Sequence, residues 1–190
     1  MNRFMTKYVS VGQFKVSEKM REYVLDVLKT ERISYGPYLS RFENEFSRLH
    51  ETSFGVMSNS GTSSLQIALQ TLKIHHNWKD GDEVIIPATT FISTANIVLH
   101  NNMKPVFVDI EPDYYGIDPN LIEEKITNKT RCIIPVHLFG LPCQMDKIIS
   151  LAEKFDLKVI EDSCETLFAR FNGKSVGSFG DISCFSTYVA

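Results

Sequence analysis

The chain has 190 residues, 43% of them apolar and 23% charged, which suits one substantial globular core. Its formal net charge of −3 gives no basic footprint, so nucleic acid is not expected as a partner. No apolar run is long enough for a bilayer span, and the opening MNRFMTKYVSVGQFKV lacks the apolar core of a secretory signal, so a cytoplasmic protein without membrane association is expected.

In chain order, residues 1–36 read as an N-terminal helical arm. SEKMREYVLDVLKTE places Met20, Val24, Leu25 and Leu28 at helical spacing, with Ser17 as the N-cap. Gly36-Pro37 forces a turn, and LSRFENEFSRLHE predicts a second helix with Leu39, Phe42, Phe46 and Leu49 on one face. Short β-rich runs then alternate with helical stretches. The candidate strands are 54–57, 83–86, 105–110, 131–136, 157–162 and 181–186, and the helical patterns are 62–73, 91–101, 119–126 and 144–155. Asp118-Pro119 supplies an N-cap followed by proline at the first helical position. Several strands are apolar on both faces, as a buried parallel sheet requires. The pattern predicts an α/β protein with right-handed crossovers, a mostly parallel sheet and helices on both sides, with 37–190 as its main domain.

Five segments could carry chemistry. Ser58-Asn59-Ser60-Gly61-Thr62-Ser63-Ser64 precedes a helix, where free backbone N–H groups and the helix dipole favour an anion such as phosphate. It also reads as an N-cap with extra serines, because no Walker lysine or Gly-x-Gly-x-x-Gly accompanies it. Glu161-Asp162-Ser163-Cys164-Glu165 ends a strand, which places Asp162 where ligands of open α/β sheets collect. A carboxylate there would keep a heteroaromatic nitrogen protonated, or else simply cap a helix. Phe91, just past another strand, either stacks on a planar ring or joins the core. His137 in PVHLFG is more often structural than catalytic at such a position. Gly177-Ser178-Phe179-Gly180-Asp181 leads into DISCFS, where Ser186 either binds phosphate or completes a strand. The cysteines Cys132, Cys143, Cys164 and Cys184 form no Cys-x-x-Cys pair, so buried free thiols are expected and no metal site. Lys125, Lys129 and Arg131 read as a solvated helix end.

Taken together, Ile33-Ser34-Tyr35-Gly36-Pro37, FENEF, SNSGTSSLQIAL, GDEVIIPATTFISTAN, PVFVDIEPD, IIPVHLFGLPCQMD, VIEDSCE and GSFGDISCFS resemble, in collinear order, the DegT/DnrJ/EryC1/StrS sugar aminotransferases. This family belongs to fold type I of the pyridoxal-phosphate enzymes. The resemblance implies that 37–190 is an incomplete three-layer α/β/α large domain with a mostly parallel mixed sheet, lacking a small C-terminal domain. It implies pyridoxal 5'-phosphate as cofactor, with its phosphate on Ser60, Gly61, Thr62, Ser63 and Ser186. It further implies Phe91 stacked on the ring, Asp162 at the pyridine nitrogen and Glu165 near the cofactor hydroxyl. The implied partners are a nucleotide-linked keto-deoxysugar, an amino-acid donor, expected to be glutamate, and a second copy of the chain in a homodimer.

By the same resemblance, the Schiff-base residue would follow Ala190. The lead-in Ser186-Thr187-Tyr188-Val189-Ala190 departs from the family's Ser-Phe-x-Pro-Thr-Lys. A histidine-bearing branch of the family consists of 3-dehydratases of 4-keto-6-deoxy nucleotide sugars, which is the first alternative to transamination. A non-catalytic truncated paralogue is the second. A Rossmann nucleotide binder is disfavoured, since the glycine fingerprint is absent.

Overall fold

Capping chemistry sets where the helices begin. In the computed structural model, which describes residues 15–188, the Ser17 hydroxyl accepts the Met20 amide at 3.2 Å and starts α1 (Glu18–Lys29). Pro37 opens α2 (Pro37–Leu49), its missing N–H falling where none is needed. Ser60 caps α3 (Gly61–His75), and β1 (Glu83–Pro87), α4 (Ile92–His100) and β2 (Lys104–Val108) follow. Asp118 accepts the Asn120 amide at 2.9 Å to start the short α5 (Pro119–Ile122), which tightens into a 3₁₀ turn over Glu123–Lys125. The chain continues through β3 (Thr130–Ile133), α6 (Met145–Lys154) and β4 (Lys158–Ser163). A small hairpin of β5 (Arg170–Phe171) and β6 (Lys174–Ser175) precedes β7 (Ile182–Phe185). Residues 1–14 of the expected arm lie outside the described residues.

The main sheet has five strands in the order β2-β1-β3-β4-β7, every neighbouring pair parallel. Antiparallel pairing among the described residues occurs in the β5–β6 hairpin, which the sequence reading did not include, and in the single bridge Ile110–Ile117. Alternation along the buried strands divides the core into two layers. Val84, Ile86, Cys132, Ile134 and Ile160 pack with Leu65, Leu69 and Leu72 of α3 and Ile97 and Val98 of α4. Ile85, Ile133 and Val159 face the other way, against Ile122, Met145, Ile148 and Ala152. Helices thus cover both faces, and the three-layer α/β/α architecture is the expected one.

One predicted strand is absent. Residues 54–57 form no strand, although FGVM has strand composition. The Met57 amide donates instead to the Glu43 carboxylate of α2 at 2.8 Å, and Gly55 lies close against the Glu43 backbone. β7, an edge strand of the sheet, pairs with β4 and not with 54–57. Without a ladder partner the apolar composition of Phe54, Val56 and Met57 leaves them exposed. The apolar stripe of α1 is also uncovered, and Val24 and Leu28 line an open groove with Ile33 and Tyr38. Among the described residues no helix is long and apolar enough to cross a membrane.

Candidate cofactor site

The candidate residues gather at the carboxyl ends of β1, β3 and β4. The chain runs from β1 to one side for β2 and to the other side for β3, so these ends flank a topological switch point, where crevices open in α/β sheets.

On the anion side, Ser60 accepts the Ser63 amide at 3.1 Å and donates to the Ser63 hydroxyl at 3.0 Å. Ser58 braces the turn, donating to the Ser60 carbonyl at 2.9 Å and pairing with the Ser64 hydroxyl at 2.8 Å. The amides of Gly61 and Thr62, at the first two positions of α3, have no intrahelical acceptor. Gly61 is a close-approach glycine: a Cβ there would lie 2.6 Å from Cys164 Sγ and 3.2 Å from Ser186 Cβ. This contact brings Ser186, just beyond β7, to the N-terminus of α3. The distant segments 60–63 and 186 thus meet at this end of the sheet.

Close to the end of β4 stands Asp162. Its carboxyl is 3% exposed; Oδ2 accepts the Thr94 hydroxyl at 2.9 Å and Oδ1 accepts the Cys164 amide at 3.2 Å. Thr94 in turn pairs with the Thr90 hydroxyl at 2.9 Å. Burial raises the Asp162 pKa, and the bonds from Thr94 and Cys164 only partly offset it. No basic side chain pairs with it among the described residues. A buried carboxylate with two donors and no cation is suited to a cationic ligand.

Phe91 sits at the N-cap of α4, one turn before Thr94, and is 64% exposed, so it does not join the core. Glu165 is exposed and accepts the Phe139 amide at 3.4 Å, which ties it to the loop after β3. Cys164 is no nucleophile, because burial drives its thiol pKa far up.

His137 takes the structural role. Its ring is wholly buried, with Nε2 3.2 Å from Glu161 Oε2, and Nδ1 accepts the Cys143 amide at 3.0 Å. Burial opposes a charge on the ring, while the neighbouring Glu161 carboxylate favours one. The proton inventory decides the state: Nδ1 is occupied as an acceptor, so only Nε2 carries hydrogen and the ring is neutral. Sequence reasoning missed two participants, Thr94 and Glu161. Thr94 sits one helical turn after Thr90, and Glu161 is the neighbour of Asp162 on a strand buried on both sides.

These features define an α/β domain with an anion cup at a helix N-terminus and a buried, unpaired carboxylate across the same crevice. The model of the DegT/DnrJ/EryC1/StrS aminotransferase family matches residues 15–190, and the chain belongs to that family of fold type I, pyridoxal-phosphate-dependent enzymes. The chain is 40% identical over 183 residues to GDP-perosamine synthase of Escherichia coli O157:H7, covering 96% of this chain and 49% of that protein. Among solved structures, it is similar to the PLP form of a putative sugar aminotransferase, Spr1654, from Streptococcus pneumoniae. The TM-score is 0.88 at 30% identity, over 95% of this chain and 49% of that one. It is also similar to the E. coli GDP-4-keto-6-deoxy-D-mannose-3-dehydratase with bound hydrated PLP, at TM-score 0.89 and 27% identity, over 94% and 46%. The chain spans about half the length of the curated relatives it matches.

The residues present fit pyridoxal phosphate on two structural grounds. The amides of Gly61 and Thr62 at the start of α3 have no intrahelical acceptor, and among the described residues the Asp162 carboxylate has no basic partner.

Proposed function

We propose that the chain is the cofactor-binding half of a pyridoxal-phosphate-dependent aminotransferase acting on a nucleotide-linked keto-deoxysugar, with an amino acid such as glutamate as donor. The observation that carries the reading is Asp162, buried with no basic partner among the described residues and two positions before Cys164, which packs against the α3 N-terminus. The sugar class is supported by the similarity to GDP-perosamine synthase.

When bound, pyridoxal phosphate serves as an electron sink for the negative charge that develops beside the amino nitrogen. The chain's own residues have three tasks. Ser60, Gly61, Thr62 and Ser63 would offer amides and hydroxyls to the phosphate, and Ser186, just beyond β7, would add a hydroxyl. Asp162 holds a proton on the ring nitrogen, with its Oδ2 oriented by Thr94. Phe91 offers an exposed aromatic face for the ring, and Glu165, tied to the loop after β3, would serve the ring hydroxyl. The covalent anchor and a homodimeric assembly belong to the whole protein in this reading. Four unpaired cysteines support a reducing, cytoplasmic setting.

The test is an absorbance titration of the protein with pyridoxal phosphate, with inorganic phosphate as competitor. Saturable binding weakened by phosphate is expected, and its absence refutes the reading. Mass spectrometry of nucleotide-linked keto-sugars incubated with the loaded protein and glutamate separates the activities: an amino group gained supports transamination, and water lost supports the 3-dehydratase.

A further inference from the structure

Asp162 and Glu161 are consecutive acids near the end of β4, and strand alternation sends them to opposite faces. Asp162 faces α4 through Thr94. Glu161 is fully buried on the other face, and both its oxygens are engaged. Oε1 accepts the amides of Phe179 at 2.7 Å and Gly180 at 2.8 Å; Oε2 accepts the Gly177 amide at 2.8 Å and the His137 ring N–H at 3.2 Å. Four donors use the acceptor capacity of a carboxylate, so Glu161 keeps no lone pair for proton transfer.

We propose that Glu161 is a positioning residue for the phosphate site: its carboxylate gathers the 177–180 turn, sets the register of β7 on β4, and thereby places Ser186 at the N-terminus of α3. The inference rests on the pyridoxal-phosphate reading. The turn held by Glu161 runs directly into β7, whose residues Ile182 to Phe185 pair with Ile160 to Ser163. Asp181 secures the same junction by accepting the Val159 amide at 2.9 Å. Gly180 is packed so tightly that a Cβ would sit 2.7 Å from the Val159 carbonyl oxygen. Ser186 lies on the same face as Cys184, towards α3. A slip of one residue would turn the Ser186 hydroxyl to the opposite face and empty that side of the cup.

The chemistry requires a carboxylate. A glutamine at 161 has one acceptor oxygen, and its NH₂ would confront two N–H donors whichever way the amide turned. His137 cannot relieve the conflict by moving its proton, because Nδ1 must accept the Cys143 amide. A glutamine at 137, by contrast, can accept from Cys143 and donate to Glu161.

The test compares dissociation constants for pyridoxal phosphate and for phosphate-free pyridoxal in the wild-type protein and in Glu161→Gln, His137→Gln and His137→Leu. Glu161→Gln is expected to weaken pyridoxal phosphate by at least about tenfold and pyridoxal by less than about threefold. Hydrogen exchange of the apoprotein should show faster exchange at the Gly177, Phe179 and Gly180 amides. His137→Gln should retain the wild-type ratio of the two affinities, and His137→Leu should shift it in the direction of Glu161→Gln. If Glu161→Gln does not fold, the His137 pair decides the matter alone. An equal loss for both ligands, an unchanged ratio, or identical behaviour of the two His137 variants overturns the proposal. A wild-type protein that binds neither ligand overturns the cofactor reading itself, which separates the two failures.

Discussion

Replacing Asp162 by asparagine should stabilise the apoprotein while crippling cofactor binding. The wild-type carboxylate is 3% exposed, with two donors and no cation. Asparagine can satisfy every neighbour. Its oxygen takes the Cys164 amide, its NH₂ donates to Thr94 Oγ1, and Thr94 turns to donate to Thr90, 2.9 Å away. The substitution thus removes a buried charge and orphans no hydrogen bond. Relief at such functional sites is worth about 0.5–2 kcal/mol, and each kcal/mol moves the melting temperature by about 2–4 °C in a chain of this size. The pH dependence follows from the raised Asp162 pKa. A carboxyl raised by folding contributes stability in the protonated form, present below its unfolded pKa and lost as pH rises through the folded one. Wild type therefore carries the penalty at neutral pH and sheds it in acid. Asp162→Asn should melt higher than wild type at neutral pH, with the difference shrinking as the pH falls into the raised Asp162 range. Saturating pyridoxal phosphate should reverse the order, because only wild type gains fully from binding. Thermal melts by circular dichroism, with and without cofactor, check each arm. A variant apoprotein that melts below wild type at neutral pH, or a gain independent of pH, would refute the reasoning.

Gly61→Ala places a carbon 2.6 Å from Cys164 Sγ and 3.2 Å from Ser186 Cβ, so pyridoxal phosphate affinity should fall by about tenfold or more in an absorbance titration. Thr94→Val removes the 2.9 Å bond to Asp162. A bond to a charged group is worth about 1.5–3 kcal/mol, so cofactor affinity should drop by roughly 10- to 150-fold in the same titration. Ile85→Ala, in the central strand β1 and fully buried, should cost about 2–5 kcal/mol in urea unfolding and leave the cup intact.

The layered fold was legible because apolar alternation marks β1, β3 and β4, and because Ser17, Pro37 and Asp118 punctuate helices by local chemistry. The strand read at 54–57 failed for a non-local reason: composition favours extension, but a strand exists only beside a partner. The serines around Gly61 were read at a helix start and Asp162 at a strand end, and α3 and β4 do begin and end there. Phe91 was ambiguous in the sequence, and its 64% exposure settles it as a surface ring. Thr94 and Glu161 stayed hidden because their partners lie far off along the chain. Thr94 meets Asp162, and Glu161 meets His137 and the amides of the 177–180 turn. Such pairings are set by the sheet order.

The two sides of the crevice ask for opposite charges, and this narrows the ligand more than either side alone. The N-terminus of α3, with two free amides and a ring of hydroxyls, favours an anion. Asp162, buried and lacking a basic partner, favours a cation that can also donate a hydrogen bond. Inorganic phosphate satisfies the first and leaves the second uncompensated, and a metal ion does the reverse. A nucleoside diphosphate brings more anion but no proton-bearing cation for Asp162. A protonated pyridine ring carrying a phosphate arm satisfies both ends, and its flat face suits the exposed ring of Phe91 between β1 and Thr94. The sheet holds these groups on separate strands and helices, so the match depends on β7 delivering Ser186 and β4 delivering Asp162 in one register. Glu161, adjacent to Asp162 and bonded to the turn that starts β7, is where those two requirements meet.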